Sequence, residues 1–190
     1  MKAFSLFEII MVMAIVAILM GLGWSGLMTF RATSEMQNAY SELVSVIKTE
    51  QNKAKNSLSA GTEGVTPDHY SIFISGNQYF AYNCRKTSTV NNNVRCTKDS
   101  TFIARILPQD ITINPSSNTA ATPFCKGIGF TRLTGKFVSF EAVPDNLNDV
   151  NAFDTTFKGE GICTIKLFHT MVNAEKNIEL NLDINSLNLP

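Results

Sequence analysis

An α+β fold is expected, a long N-terminal helix packed on a C-terminal antiparallel β-sheet domain, and three features of the chain lead to it. Ile9 to Phe30 is an uncharged, mostly apolar run. Met36, Tyr40, Leu43, Ile47, Ala54 and Leu58 then recur at helical spacing, which lines them along one side of a helix. From Pro67 onward the pattern changes to short segments rich in β-branched and aromatic residues, separated by Gly, Asn, Asp and Pro.

Taken in order, the apolar run comes first. At about 1.5 Å rise per residue it reaches ~33 Å as a helix, enough for a hydrocarbon core of about 30 Å. Gly21, Gly23 and Gly26 lie within it; each weakens a helix interior by roughly 1 kcal/mol relative to Ala, so this segment is where bending is expected. The amphipathic continuation keeps Glu42, Lys48, Gln51, Lys53 and Lys55 largely off its apolar side. It ends before Gly61, Gly64 and Pro67, residues poorly suited to a helix interior. The helix is thus expected from about Phe4 to Leu58.

Tyr70 to Ser75 and Gln78 to Tyr82 flank Gly76-Asn77, which reads as a hairpin turn. Thr101 to Leu107, Ile128 to Thr131, Lys136 to Ala142, Ile162 to His169 and Ile178 to Ile184 are further strand candidates. No internal repeat or long linker interrupts them. Beyond Arg31 the chain has room for one domain large enough to bury a core.

Glu8 carries the strongest functional signal. It stands beside the bilayer-length run, where a carboxylate costs a few kcal/mol to insert and needs a cation. Phe4-Ser5-Leu6-Phe7-Glu8 followed by a long apolar segment resembles the signal of type IV pilins and pseudopilins, which has a short basic leader, then Phe, Thr or Ser, Leu, any residue and Glu. The resemblance implies a leader at 1–3, cleavage between Ala3 and Phe4 by a prepilin peptidase, and methylation of the new amine. It also implies that Glu8 offsets the charge of that amine on a neighbouring subunit during assembly. Ala3 stands where the family usually has Gly, and the mid-helix proline of many major pilins is absent. Within the class, the long helix, the Gly-x-Gly-Phe-Thr-x-x-x-Gly stretch at Gly127 to Gly135 and the final strand pair resemble the GspH/FimT type of minor pseudopilin.

That resemblance implies a division into a leader at 1–3, a transmembrane and assembly helix at 4–30, its amphipathic continuation at 31–60, and a globular domain at 61–190. The implied protein is a minor type IV pilin or type II secretion pseudopilin. It would sit in the inner membrane as a single-pass protein with its C-terminal domain outside the cytoplasm, later entering a pilus or pseudopilus. Its partners would be the prepilin peptidase, other pilins, the inner-membrane assembly machinery and the lipid bilayer. A cleaved secretory signal fits less well, because the apolar run is too long and Arg31 follows it without a small-residue cleavage pattern. A signal-anchored surface protein that never polymerises explains the length but not Glu8.

Lys plus Arg and Asp plus Glu are both 16, for a formal net charge of zero, so no global field draws the chain to nucleic acid or an anionic surface. Cys84, Cys96, Cys125 and Cys163 all follow the apolar run, as suits an exported domain. Three pairings are open. The favoured one joins Cys84 with Cys96 and Cys125 with Cys163, each contributing about 3 to 4 kcal/mol on the loop-entropy account. Metal binding is disfavoured because the cysteine spacings are wide, and His69 and His169 are remote. Both histidines read as structural. With no GxSxG, HExxH or P-loop pattern, no catalytic role and no cofactor are expected.

One local charge signal remains. Arg85, Lys86, Arg95 and Lys98 flank or lie within the Cys84 to Cys96 segment, with no acid until Asp99. A stapled hairpin presenting all four together would meet phosphate, and some FimT-like minor pilins are associated with DNA uptake, so a DNA-binding pilin is the alternative function. Against it stands an ordinary solvated loop without interleaved aromatics. Lys126, Arg132 and Lys136 make a second candidate basic strip.

Overall fold

The computed structural model describes residues 6–56, 67–87, 92–113, 125–140, 144, 146–158, 162–181 and 186–188. A single helix, α1, runs from Leu6–Lys55 over 50 residues, about 75 Å at the usual rise, and passes through the glycine segment without a break. It is long and apolar enough to cross a membrane, with a mean hydropathy of 2.5 over its most apolar window. Its two halves meet different surroundings. Leu6, Phe7, Leu19 and Phe30 are 77%, 73%, 63% and 74% exposed, whereas Ala32, Met36, Ala39, Tyr40, Leu43, Ile47 and Ala54 are buried against the domain. The switch falls at Arg31, which pairs with Glu35 one turn on at 2.8 Å.

Eleven strands follow among the described residues: β1 (His69–Ser75), β2 (Gln78–Lys86), β3 (Asn93–Lys98), β4 (Arg105–Ile106), β5 (Ile111–Ile113), β6 (Gly127–Thr131), β7 (Phe137–Phe140), β8 (Ala152–Lys158), β9 (Ile162–His169), β10 (Ala174–Asn181) and β11 (Ser186–Asn188). The first sheet runs β1-β6-β7-β8-β3-β2, and β1 also pairs with β2, so six antiparallel strands close into a barrel. The short β4 adds to β2 at Gln78 and Tyr79. A second antiparallel sheet has the order β11-β10-β9-β5. The expected α+β class therefore holds, with the helix followed by antiparallel sheet.

Strand alternation divides the apolar side chains between two cores. Phe73, Phe80, Tyr82, Cys84, Val94, Cys96, Val138 and Phe140 make a cluster inside the barrel. Tyr70, Ile72, Ile74, Ile128, Phe130 and Phe137 are on the opposite pleat of the same strands and join the helix and the second sheet in the other cluster. The glycines of the Gly-x-Gly-Phe-Thr stretch have a steric role inside the barrel. A Cβ on Gly127 would lie 2.3 Å from Phe73 Cδ1, and one on Gly129 would lie 2.9 Å from Phe140 Cε2. The alternate residues Ile128 and Phe130 face outward to the helix side.

The boundaries depart from the sequence reading in specific places. The Gly76-Asn77 hairpin is present, with Gly76 at φ 58°, but β2 runs on to Lys86 and pairs with β3, a strand not anticipated. Of Thr101 to Leu107 only Arg105–Ile106 is strand. Asp99 turns the chain there: its Oδ1 accepts from Thr101 N at 2.9 Å and Thr101 Oγ1 at 2.6 Å, and its carbonyl accepts from Phe102 N at 3.1 Å. β8 was also missed, and β10 starts at Ala174 rather than Ile178, after a turn in which Asn173 takes φ 50°. Leu58, Ala142, Ile184 and the 60/61 boundary lie outside the described residues.

Candidate functional site

Glu8 sits in the first turn of α1, where the unsatisfied amides and the positive end of the helix dipole favour a carboxylate. It is exposed, as are Ile9, Ile10, Met11 and Val12 beside it. The expected processing residues Ala3 and Phe4 lie outside the described residues. What the geometry provides is an acidic helix start on an apolar surface that its own domain leaves uncovered. By length and composition, a helix with such a surface could span a bilayer.

Both disulfides join the expected partners, Cys84 to Cys96 and Cys125 to Cys163. Cys84 and Cys96 stand directly opposite each other on β2 and β3, inside the barrel. Cys125 precedes β6, and its amide donates to the Thr164 carbonyl at 3.0 Å, so the second bond ties the barrel to the second sheet.

The basic segment is organised differently from the sequence reading, which placed four cations together. Arg85 is directly opposite Arg95, whereas Lys86 is opposite Val94 and Lys98 is opposite Tyr82. The strand period therefore sends Arg85 and Arg95 to the outer pleat, and Lys86 and Lys98 to the pleat that lines the barrel. Arg95 pairs with Asp154 at 3.2 Å. Lys86 Nζ lies 5.3 Å from the centroid of the Phe157 ring, and Lys98 Nζ lies 4.6 Å from that of Phe80. Lys98 also donates to the Asn148 carbonyl at 3.1 Å. The hairpin is not a four-cation face, because neighbouring residues in a strand cannot share a side of the sheet.

The helix end carries a buried ionic cluster that sequence reasoning missed. Lys53 Nζ is 2.7 Å from Glu50 Oε1 and 3.4 Å from Asp99 Oδ2. Burial raises the Glu50 carboxyl, and the attraction of Lys53 only partly opposes this. Burial also pulls against the charge on Lys53, but Glu50 and Asp99 together outweigh it and hold that group above its ordinary value. Glu50 and Lys53 share a helix face at i,i+3, which the sequence does reveal. Asp99 comes from far along the chain, and only the fold brings it there.

His69 and His169 are buried, at 2% and 0% exposure. His69 lies 5.2 Å from Phe157, ring to ring, and burial lowers its pKa to about 4. Among the described residues, no group of three or more His, Cys, Asp or Glu side chains is arranged to hold a metal ion. No protein-family profile, curated protein or solved structure matches the chain.

Proposed function

We propose that this chain is a membrane-anchored structural subunit of a filament, of the minor type IV pilin or type II secretion pseudopilin kind. The supporting observation is one uninterrupted helix whose second half is packed on the domain while the described side chains of its apolar first half, between Leu6 and Phe30, are exposed. A helix built in this way has two available environments. In the bilayer, lipid covers the first half; in a filament core, the same half of neighbouring subunits replaces the lipid.

Glu8 gives the exchange its register. In this reading, cleavage between Ala3 and Phe4 exposes an amine, and the Glu8 carboxylate of an adjacent subunit pairs with it. Desolvation in the apolar surroundings makes an unpaired charge costly, so only subunits at the matching axial offset are tolerated. The prepilin peptidase, fellow subunits and inner-membrane assembly machinery are the partners this requires. The DNA-binding alternative is the weaker reading, since the four cations of the hairpin are divided between two pleats.

The test pairs intact-mass measurement of membrane-extracted protein with a Glu8→Ala variant. The expected outcome is a chain beginning at methylated Phe4 and a variant that is processed and membrane-bound but depleted from sheared filaments at least tenfold. Recovery of wild type and variant in filaments to the same extent rejects the pairing. Complete absence of wild type from filaments, with the helix in the membrane, favours a surface protein anchored by its signal segment.

A further inference from the structure

We propose that the end of the domain farthest from the apolar half-helix is a docking face for the phosphate headgroups of an anionic lipid surface, with Leu133 as the inserting side chain. This rests on the membrane-anchored reading only for the direction in which that end points. Lys55 ends the helix ~25 residues past Phe30, about 38 Å along the axis. The face it belongs to is therefore held away from any bilayer that houses the first half.

Basic residues from three parts of the chain are brought to this end by backbone contacts. Arg132 N donates to the Asp68 carbonyl at 2.8 Å, and Lys86 N donates to Asp68 Oδ2 at 2.9 Å. This places the β6–β7 turn beside the end of β2, which carries exposed Arg85 and Lys86. The same turn meets the helix terminus: Leu133 N donates to the Ala54 carbonyl at 2.8 Å, and Gln51 Nε2 donates to the Gly135 carbonyl at 3.2 Å. The methylenes of Lys55 lie over Gly135, where a Cβ would come within 2.7 Å of them. These contacts bring to one end of the domain the segments that carry Lys55, Lys86, Arg132 and Lys136, with Arg85, the neighbour of Lys86, on the outer pleat of β2, in a chain with no net charge. One acid, Asp68, shares this end, its Oδ2 accepting from the Lys86 amide, while buried Glu50 and Asp99 are held by Lys53. Lys126, from the second basic strip of the sequence, is at the opposite end of β6, where its carbonyl accepts from Ile74 N at 2.9 Å.

Leu133 distinguishes a lipid surface from other polyanions. It projects from this basic turn 65% exposed, at φ 69°, a left-handed backbone that large apolar residues seldom adopt. Glycine or asparagine would suit both the backbone and water better. The turn is nonetheless fixed, by the bond to Ala54 and by Gly135 N donating to the Thr131 carbonyl at 2.8 Å. A nucleic-acid backbone would use the cations and leave Leu133 in water. A bilayer interface takes both, the cations at the headgroups and the apolar side chain below them.

The experiment uses the full chain in nanodiscs of neutral phosphatidylcholine, where co-elution with the disc reports the anchor separately. Capture is then measured by vesicles of equal parts phosphatidylglycerol and phosphatidylcholine, by pure phosphatidylcholine vesicles, and by duplex DNA. We expect capture by the anionic vesicles that falls as salt rises. Leu133→Gly should weaken it about tenfold without loss of melting temperature, because glycine is at ease at this φ. The double variant Arg85→Glu with Lys136→Glu should weaken it roughly twentyfold or more. No capture, equal capture by neutral vesicles, or an unchanged Leu133→Gly variant overturns the proposal. Duplex DNA bound as tightly, and indifferent to Leu133→Gly, identifies a general polyanion face instead. A chain that does not enter discs overturns the anchor reading, and the same vesicle assay in amphipol then decides the docking face.

Discussion

His69 illustrates how a residue that looks ordinary in the sequence becomes a stability determinant through its surroundings. It is on the barrel-lining pleat against Phe157; burial is the main cause lowering its pKa to about 4, Asp68 opposes it and Lys86 adds to it. The sign follows directly. The unfolded chain takes up a proton near the reference value of about 6.5, which the folded chain refuses until about 4, so stability is full above that upper value and is lost as pH falls through the interval. The loss amounts to about 3 kcal/mol at the low end. Glu50 works in the opposite direction, since its raised carboxyl binds a proton more readily in the folded state. The His69 contribution is therefore isolated by difference. As pH falls from 7 to 4, the urea midpoint of the wild type should fall relative to that of His69→Leu; parallel curves would refute the assignment.

Among the elements, the barrel and the second sheet are separate hydrogen-bonded units, and Cys125–Cys163 crosses between them with a sequence separation of 38. Closing that loop restricts the unfolded chain more than the 12-residue separation of Cys84–Cys96, which joins strands already paired by their backbones. Replacing Cys125 and Cys163 together by Ala should cost about 4 kcal/mol, against about 3 for Cys84 and Cys96. Beyond the difference in magnitude, the first pair should expose β9 and β10 to protease while the barrel stays resistant. Urea titration combined with limited proteolysis checks both outcomes, and uniform digestion of the two sheets would contradict the division.

For the molecule as a whole, the helix is shared between two environments and only its second half contributes to domain stability. The buried residues begin at Ala32, and the described side chains from Leu6 to Arg31 are exposed. A chain beginning at Arg31 should therefore keep the melting temperature of the full protein in detergent within about 2 °C, while losing association with membranes. A fall of ten degrees or more in a differential scan would mean that the first half supports the domain.

Much of this arrangement was legible from local pattern. The helix, the Gly76-Asn77 hairpin and several strands follow from periodicity and turn residues, because the period of apolar side chains reports which face an element buries. β3 and β8 were less visible. Arg95 and Thr97 alternate with Val94 and Cys96 in β3, while Asp154 and Thr156 alternate with Phe153 and Thr155 in β8, so their polar outer residues resemble a loop when read without a partner strand. The mistaken grouping of Arg85, Lys86, Arg95 and Lys98 has the same origin, since nearness in sequence says nothing about the side of a sheet until the register is known. By itself the sequence determined that a bilayer-length helix with an acidic start leads into a disulfide-bearing sheet domain, since length, hydropathy and alternation are local properties. Only the tertiary structure decided that the sheet closes into a barrel, that Asp99 meets Glu50 and Lys53, and that the β6–β7 turn carrying Leu133 meets the end of α1 at Ala54, because each depends on long-range pairing that no local pattern encodes.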